Sequence, residues 1–238
     1  MTRELVYGRQ PVREVVHAGK RQVIELVVTE RALVAEPWLR EVGGLRLQVA
    51  PERRLNEAAA TTEHQGVVAF CEPYRYADAN ELVAGEAPLV VCLDQVTDPH
   101  NLGAVIRSAE GAGASGVVIT ERNAARVTPA VCKASAGAVE HLPVALVVNL
   151  ARYLEEIKGP RLWVWAADGA AETPVWSADL TTGVALAFGA EGRGLRPGVR
   201  RVCDEAFAIP LAGNVESLNV SVAAGVSLFE AARQRRGA

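Results

Sequence analysis

Apolar and polar positions of the first 71 residues follow each other in the alternating helix and strand patterns of a small α/β unit. The predicted elements, in chain order, are a helix over Pro11–Ala18, a strand over Val23–Val28, a helix over Val34–Val42, a strand over Leu45–Val49, a helix over Pro51–Ala60 and a strand over Gly66–Cys71. Gly19 follows the first helix, where glycine commonly ends one.

The pattern weakens over residues 72–88, which mix charged and aromatic side chains with two prolines and a glycine. Such a stretch is typical of a boundary between domains. We therefore predict an N-terminal domain over residues 1–73, a linker over 74–87 and a larger domain over 88–238.

The larger domain begins with a continuous apolar strand, Leu89–Leu93, which ends at Asp94. Uninterrupted apolar strands are typical of a parallel sheet that is covered on both faces. The elements predicted after it are helices over 101–112, 129–137 and 150–157, strands over 117–120, 162–166, 184–188 and 207–209, and a buried helix that starts at Asn219.

Composition excludes several classes of protein. Half of the 238 residues are hydrophobic and the net charge is −3, which fits a globular chain and does not announce a nucleic-acid binder. The four cysteines are widely spaced and the four histidines form no ligand pattern, so we expect buried thiols and no metal site. We find neither a signal peptide nor a membrane-spanning stretch, and we expect a cytoplasmic protein.

Two stretches of local charge qualify this picture. Arginines cluster over residues 193–201, and basic residues also gather over residues 9–21. Such clusters are usually solvated, but they also suit contacts with phosphate groups.

The loop after Asp94 leads into a helix that carries Asn101 and Arg107. Asn101 is well placed to cap this helix, which needs no functional explanation. Arg107 is the only charged residue between Asn101 and Ala109, so it is either a solvated side chain or part of a site.

Two further loops carry unusual residues. Residues 188–195 place three glycines directly after an apolar strand, which lets a ligand approach the backbone closely, and Glu191 lies between them. Polar residues gather just before the last helix, where Ser217 and Asn219 serve either as caps or as part of a site at the helix start. Ligands of open α/β sheets bind beyond the carboxyl ends of the strands, so all three loops are predicted to form one site.

Three segments, NLGAVIRSA, FGAEGRGL and IPLAGNVESLNVSVAAG, resemble the signature motifs of the SpoU (TrmH-like) RNA ribose 2′-O-methyltransferases, in the same order and at similar spacing. The start of the chain, from Tyr7-Gly8-Arg9, is similar to the small RNA-binding domain of the RlmB branch of that family. That branch methylates a guanosine ribose of 23S rRNA.

The resemblance implies an α/β SPOUT fold, in which a parallel sheet ends in a C-terminal trefoil knot and follows a small N-terminal RNA-binding domain. It also implies a homodimer that binds RNA and uses S-adenosylmethionine without a metal. The family's cofactor contacts would fall on Gly189, Ile209 and Leu218. Its catalytic and substrate-side residues would fall on Asn101, Arg107, Glu191, Ser217 and Asn219.

Three alternatives stay open. The first is a tRNA methylase or a resistance-type rRNA methylase of the same family. The second is a non-catalytic RNA-binding factor of ribosome assembly, which intact Arg107 and Asn219 disfavour. The third is a nucleotide-dependent oxidoreductase. This chain lacks the acidic ribose-binding residue that such an enzyme carries at a fixed distance from the glycines.

Overall fold

The structure, a computed structural model, describes residues 3–237 and contains two β-sheets that follow each other along the chain. The first sheet has four strands in the order β1-β4-β2-β3, with only β2 and β3 parallel. Its elements are β1 (Glu4–Tyr7), α1 (Arg9–Ala18), β2 (Val23–Val28), α2 (Glu30–Ala35), α3 (Trp38–Glu41), β3 (Leu47–Val49), α4 (Glu52–Ala59) and β4 (Val67–Cys71). We call residues 3–71 the N-terminal or first unit, and residues 88–237, which contain the second sheet, the second unit.

Two features of this unit differ from the sequence prediction. The single helix predicted over Val34–Val42 is wrong: α2 ends at Ala35 and α3 begins at Trp38, on either side of Pro37. A residue before proline is disfavoured in the helical region, and Glu36 has φ −123° and ψ 86°. Strand β1, which pairs with β4 at one edge of the sheet, was not predicted.

The second sheet has six strands in the order β10-β8-β9-β5-β6-β7, and every adjacent pair is parallel, as predicted. Its elements are β5 (Leu89–Asp94), α5 (Pro99–Gly111), β6 (Gly116–Thr120), α6 (Pro129–Ala134), β7 (Val144–Val147), α7 (Leu150–Ile157), β8 (Leu162–Ala167), β9 (Gly183–Gly189), α8 (Pro197–Val202), β10 (Glu205–Phe207) and α9 (Val220–Arg236). Short 3-10 turns occur at Glu81–Val83, Ala138–Glu140 and Val175–Ser177.

Helices cover both faces of this sheet. Alternate side chains of the central strands pack against α5, α6 and α9 on one face and against α7 and α8 on the other. All four cysteines are buried free thiols, and apolar surroundings in the sequence predicted this for three of them. The segment between the two sheets, residues 72–87, is held against the second sheet at two points. The Tyr153 hydroxyl donates a hydrogen bond to the Ala79 carbonyl, and Ala77 forms a β-bridge with Ala145.

The last helix, α9, is buried on one side only, so the prediction of a buried helix is wrong for its other face. Val222, Val226 and Phe229 are 50%, 41% and 54% exposed on that face. Near its end, Arg235 donates hydrogen bonds to the carbonyls of Ala87, Pro88, Leu180 and Thr182, and so ties the helix to the starts of β5 and β9.

Candidate functional site at the carboxyl edge of the parallel sheet

A cleft of about 450 Å³ opens at the carboxyl ends of β8, β9 and β10. Gly189, Ile209 and Leu218, the three predicted cofactor contacts, all line it, as do Glu191 and Ser217. The other lining residues include Ala167, Asp168, Gly169, Phe188, Phe207, Leu211, Glu216, Val220 and Ala223. Its size and its mixture of apolar walls with a few polar groups are typical of small-molecule sites.

The glycine loop, residues 189–195, forms one wall of the cleft as a tight turn. The carbonyl of Ala190 accepts hydrogen bonds from the backbone N–H groups of Arg193 (3.2 Å) and Gly194 (2.9 Å). The turn passes so close to its own start that a Cβ on Gly189 would lie 1.9 Å from the Gly194 carbonyl carbon. Gly189 is therefore required by backbone packing, and this wall is built from main-chain atoms.

A buried carboxylate that the sequence did not single out holds this loop in place. Asp94, at the end of β5, has a fully buried side chain and accepts hydrogen bonds from the backbone N–H (2.9 Å) and the Nε (2.8 Å) of Arg196. A second guanidinium nitrogen lies 2.7 Å from the same carboxylate. The sequence offers one signal for this role, a charged residue at the end of an apolar strand. It does not indicate the partner, because Arg196 lies 102 residues further along the chain.

A hydrogen bond between Asn101 and Asn219 joins the segment that follows Asp94 to the loop that precedes α9. Asn219 caps α9, because its Oδ1 accepts hydrogen bonds from the N–H (2.8 Å) and Oγ (2.6 Å) of Ser221. Its Nδ2 donates to Asn101 Oδ1 at 3.0 Å. The capping interpretation of Asn101 is wrong, because α5 begins two residues earlier and is capped by Asp98.

Ser217 and Arg107 occupy exposed positions. Ser217, in the loop before α9, is exposed and lines the cleft, while the cap of α9 is Asn219. Arg107 lies on the exposed side of α5 and does not line the cleft. Within residues 3–237, no carboxylate lies within 4 Å of its guanidinium group, which is therefore available to an external anion or polar group.

A second acidic residue that sequence reasoning missed, Asp168, lines the cleft directly after the end of β8. Its pKa lies below the usual range because its carboxylate accepts hydrogen bonds from the Ala170 N–H and from Arg200 Nε (3.0 Å). Two arginines of the basic cluster, Arg196 and Arg200, are thus paired with Asp94 and Asp168. The other two, Arg193 and Arg201, are exposed, so part of the cluster remains suited to phosphate contacts.

The described part of the chain contains no candidate metal site and no candidate membrane span. Among residues 3–237, no three His, Cys, Asp or Glu side chains are grouped so that they could hold a metal ion. No helix in that range is both long and apolar enough to cross a membrane.

Comparison with known proteins covers both units. The SpoU rRNA Methylase family matches residues 88–229, and the family described as RNA 2′-O ribose methyltransferase substrate binding matches residues 5–77. A 23S rRNA (guanosine-2′-O-)-methyltransferase RlmB of Pectobacterium atrosepticum is 38% identical over 98% of this chain and 99% of that protein. A putative TrmH family tRNA/rRNA methyltransferase, YacO of Bacillus subtilis, is 39% identical over 91% of this chain and 94% of its own length.

Among solved structures, the SpoU methyltransferase AviRb of Streptomyces viridochromogenes in complex with AdoMet is 28% identical. It aligns with a TM-score of 0.81 over 98% of this chain and 90% of that chain. The fold, the order of the three loops and the two family matches agree with each other. The chain therefore belongs to the SpoU rRNA methylase family and carries the family's N-terminal substrate-binding region.

Proposed function

We propose that this protein transfers the methyl group of S-adenosylmethionine to the ribose 2′-oxygen of a guanosine in 23S rRNA. The observation that carries the proposal is the cleft, where five of the eight residues expected from the family motifs lie together. Similarity over nearly the full length to a protein named for this reaction supports the choice of substrate. Ribosomal RNA as substrate also implies a cytoplasmic location.

The residues of the cleft fit S-adenosylmethionine. Main-chain groups of the glycine loop and of the segment from Ala208 to Leu218 suit the polar edge of an adenine, and apolar side chains such as Ile209 and Leu218 suit its faces. Carboxylates of Asp168, Glu191 and Glu216 suit ribose hydroxyls and the positive charges of the cofactor. The cofactor, when bound, supplies an activated methyl group on a sulfonium centre.

We assign the substrate side to the polar residues that lie around the start of α9. The Asn101–Asn219 hydrogen bond holds both amides in fixed orientations, and their roles here are to orient the ribose together with Ser217. Of the two roles expected for Glu191, we assign it to the glycine loop and not to Arg107, since no carboxylate of the described range lies within 4 Å of that guanidinium group. Within this assignment, the protein's contribution to the rate is alignment of the 2′-oxygen and stabilisation of its developing charge.

Arg107 is assigned to the 2′-oxygen as a hydrogen-bond donor. A guanidinium group stays protonated at ordinary pH, so Arg107 does not act as a base here. It instead stabilises the developing negative charge on the 2′-oxygen, and a phosphate of the RNA helps to accept the proton. The exposed position of Arg107, without a carboxylate partner in the described range, supports a role toward a bound substrate.

We further propose a homodimer that forms through α9. Val222, Val226 and Phe229 repeat at helical spacing and form an exposed apolar stripe on that helix. Phe229 also lies beside Gly111 of α5, the helix that carries Arg107. Pairing two copies through this stripe would remove apolar surface from water and bring the partner close to the substrate side of the site.

The finer points of the fold are proposals as well. We divide the chain into an RNA-binding domain over 1–73, a linker over 74–87 and a methyltransferase domain over 88–238, which agrees with one sheet on each side of the linker. We also propose that the C-terminal part is threaded into a trefoil knot, an exceptional topology for proteins. The long return of the chain from edge strand β10 to α9, which packs against α5 and β9, supports it.

The test uses S-adenosylmethionine carrying a tritiated methyl group, with unmodified 23S rRNA and unmodified tRNA in parallel reactions. The expected result is label on the ribose of one guanosine in 23S rRNA. Label on tRNA alone would retain the chemistry and refute the substrate, and the absence of label from both would refute the proposed activity.

A further inference from the structure

An ion pair between the two units is buried more completely than any other in the described chain. Arg21, which precedes β2, has 4% of its side chain exposed, and Glu140, in the turn Ala138–Glu140 of the second unit, has 1%. Arg21 Nε donates to Glu140 Oε2 at 3.0 Å, and a second guanidinium nitrogen donates to Glu140 Oε1. The contact is therefore bidentate, which fixes the relative direction of both groups.

The surroundings of this pair are organised around it. A third guanidinium contact reaches Glu4 of β1 at 3.3 Å, and the guanidinium carbon lies 5.5 Å from the centre of the Tyr74 ring. The hydroxyl of Tyr74 in turn accepts a hydrogen bond from the N–H of Val144, at the start of β7. One arginine thus connects the first strand, the segment between the sheets and the unit that contains the cleft.

Contacts around the rim of the junction extend the same arrangement. Lys20 Nζ donates to the His141 carbonyl at 2.8 Å, and His141 Nε2 lies 2.7 Å from Glu14 of α1. Gly137 approaches α1 so closely that a Cβ there would lie 2.5 Å from the Glu14 Cβ. The two units meet as fitted surfaces and not through a single point.

We propose that Arg21 and Glu140 form a positioning pair that sets the angle between the substrate-binding unit and the cofactor cleft. This inference rests on the proposed function. Apolar contacts hold surfaces together without fixing their direction, whereas a buried bidentate pair loses its hydrogen bonds when the surfaces rotate. Each unit contributes one charge, so RNA held by the first unit is presented to the cleft in one orientation.

The division of the charges between the units also predicts the effect of removing one of them. Without Glu140, the buried Arg21 keeps only the 3.3 Å contact with Glu4, and a buried charge that has lost its bidentate partner is strongly unfavourable. Because each unit has its own sheet, we expect a rotation at the junction to hydrate Arg21 while both sheets, and the apolar core that the units share, stay folded. Loss of Glu140 is therefore expected to loosen the angle between the units before it unfolds either of them.

The first test measures the angle without RNA or cofactor. All four native cysteines are buried, so nitroxide labels will react with the engineered pair Glu57→Cys and Arg161→Cys, one exposed position in each unit. Labelled chains are diluted with unlabelled protein so that only distances within one chain are read by double electron–electron resonance. We expect one narrow distance distribution in the otherwise unchanged protein and a distribution at least about twice as wide in Glu140→Gln.

A matched control separates this effect from loss of any ion pair. Glu156→Gln makes the same change in the exposed Arg152–Glu156 pair, whose atoms lie 2.7 Å apart on α7, and should leave the distribution unchanged. A broad distribution in the protein without a junction substitution, or a narrow one in Glu140→Gln, would overturn the inference.

The second test distinguishes positioning from stability. The double variant Arg21→Met with Glu140→Leu replaces the pair by apolar side chains and leaves only Glu4 without its ion-pair partner. Because the Glu4 side chain is 38% exposed, water can solvate it, and the variant should melt near the temperature of the parent protein. We expect its distance distribution to be as broad as that of Glu140→Gln. Its rate of methyl transfer at saturating RNA should fall about tenfold, because the ribose is no longer held in one orientation. Affinity for S-adenosylmethionine should change less than about twofold, since the cleft is intact.

A double variant with a narrow distribution and the parent rate would refute a positioning role and leave only a structural one. If the parent protein itself methylates no RNA, the proposed function fails. The distance measurement then decides alone whether the pair sets the angle.

Discussion

Substitution of Gly189 by alanine tests the cofactor cleft most directly. The added Cβ would lie 1.9 Å from the Gly194 carbonyl carbon, whereas ordinary contacts begin near 3.4 Å. The loop must therefore retreat by the difference, about 1.5 Å, and the atoms it meets belong to the backbone and cannot rotate away. Overpacking of this kind costs about 1–3 kcal/mol of stability.

The displaced loop forms one wall of the cleft, so binding of S-adenosylmethionine should weaken at least tenfold, about 1.4 kcal/mol. Methyl transfer should fall by about 100-fold or more, because misplacement by 1 Å has effects of that size. Isothermal titration calorimetry measures the affinity, and incorporation of tritiated methyl groups into RNA measures the rate.

The matched control is Gly198→Ala in α8, nine residues after Gly189. A Cβ there would meet nothing within 4 Å, and alanine favours a helix, so affinity and rate should stay within about twofold of the parent values. A Gly189→Ala protein that is folded and binds S-adenosylmethionine as tightly as the parent would refute the assignment of the glycine loop to the cofactor.

Three further substitutions test other parts of the site. Asp94→Asn should lower the free energy of unfolding by about 1–3 kcal/mol in urea titrations, because the contact with Arg196 loses the negative charge. An unchanged midpoint would show that the Asp94–Arg196 pair does not hold the glycine loop in place. Arg107→Ala should reduce methyl transfer by about 100-fold while affinity for S-adenosylmethionine changes less than threefold, and equal loss of both would remove Arg107 from the substrate side. Phe229→Asp should convert a dimer into a monomer in sedimentation velocity runs, whereas a dimer that persists would show that the apolar stripe of α9 is not the interface.

Local patterns predicted most of the elements. Strand Val23–Val28 and helix Leu150–Ile157 have the predicted bounds, because the periodicity of their apolar positions and their flanking residues agree. The break at Pro37 was missed although proline is a local signal. Strands β1 and β7 were not predicted. Both are short and lie at sheet edges, where the partner strand and not the segment's own pattern decides the conformation.

The location of the site followed from a general property of parallel sheets. Loops at the carboxyl ends of the strands lie at one edge, and this rule predicted one site there, whereas the resemblance to the SpoU family selected Gly189, Ile209 and Leu218 within the loops. It could not predict the pairing of Asp94 with Arg196, because the choice of partner for a buried charge depends on tertiary packing. For the same reason Asn101, which looked like a helix cap, contacts Asn219 across 118 residues.

The contacts of Arg235 imply an order for the maturation of the protein. This residue, the last but one of α9, holds together carbonyls as distant as Ala87 and Thr182. A chain that emerges from the ribosome N-terminus first can fold its substrate-binding unit early. The starts of β5 and β9, by contrast, gain these contacts only after α9 has been made. During synthesis the first sheet can therefore form before the starts of β5 and β9 are tied together, so a chain truncated before Arg235 should keep the first sheet and lose stability in the second.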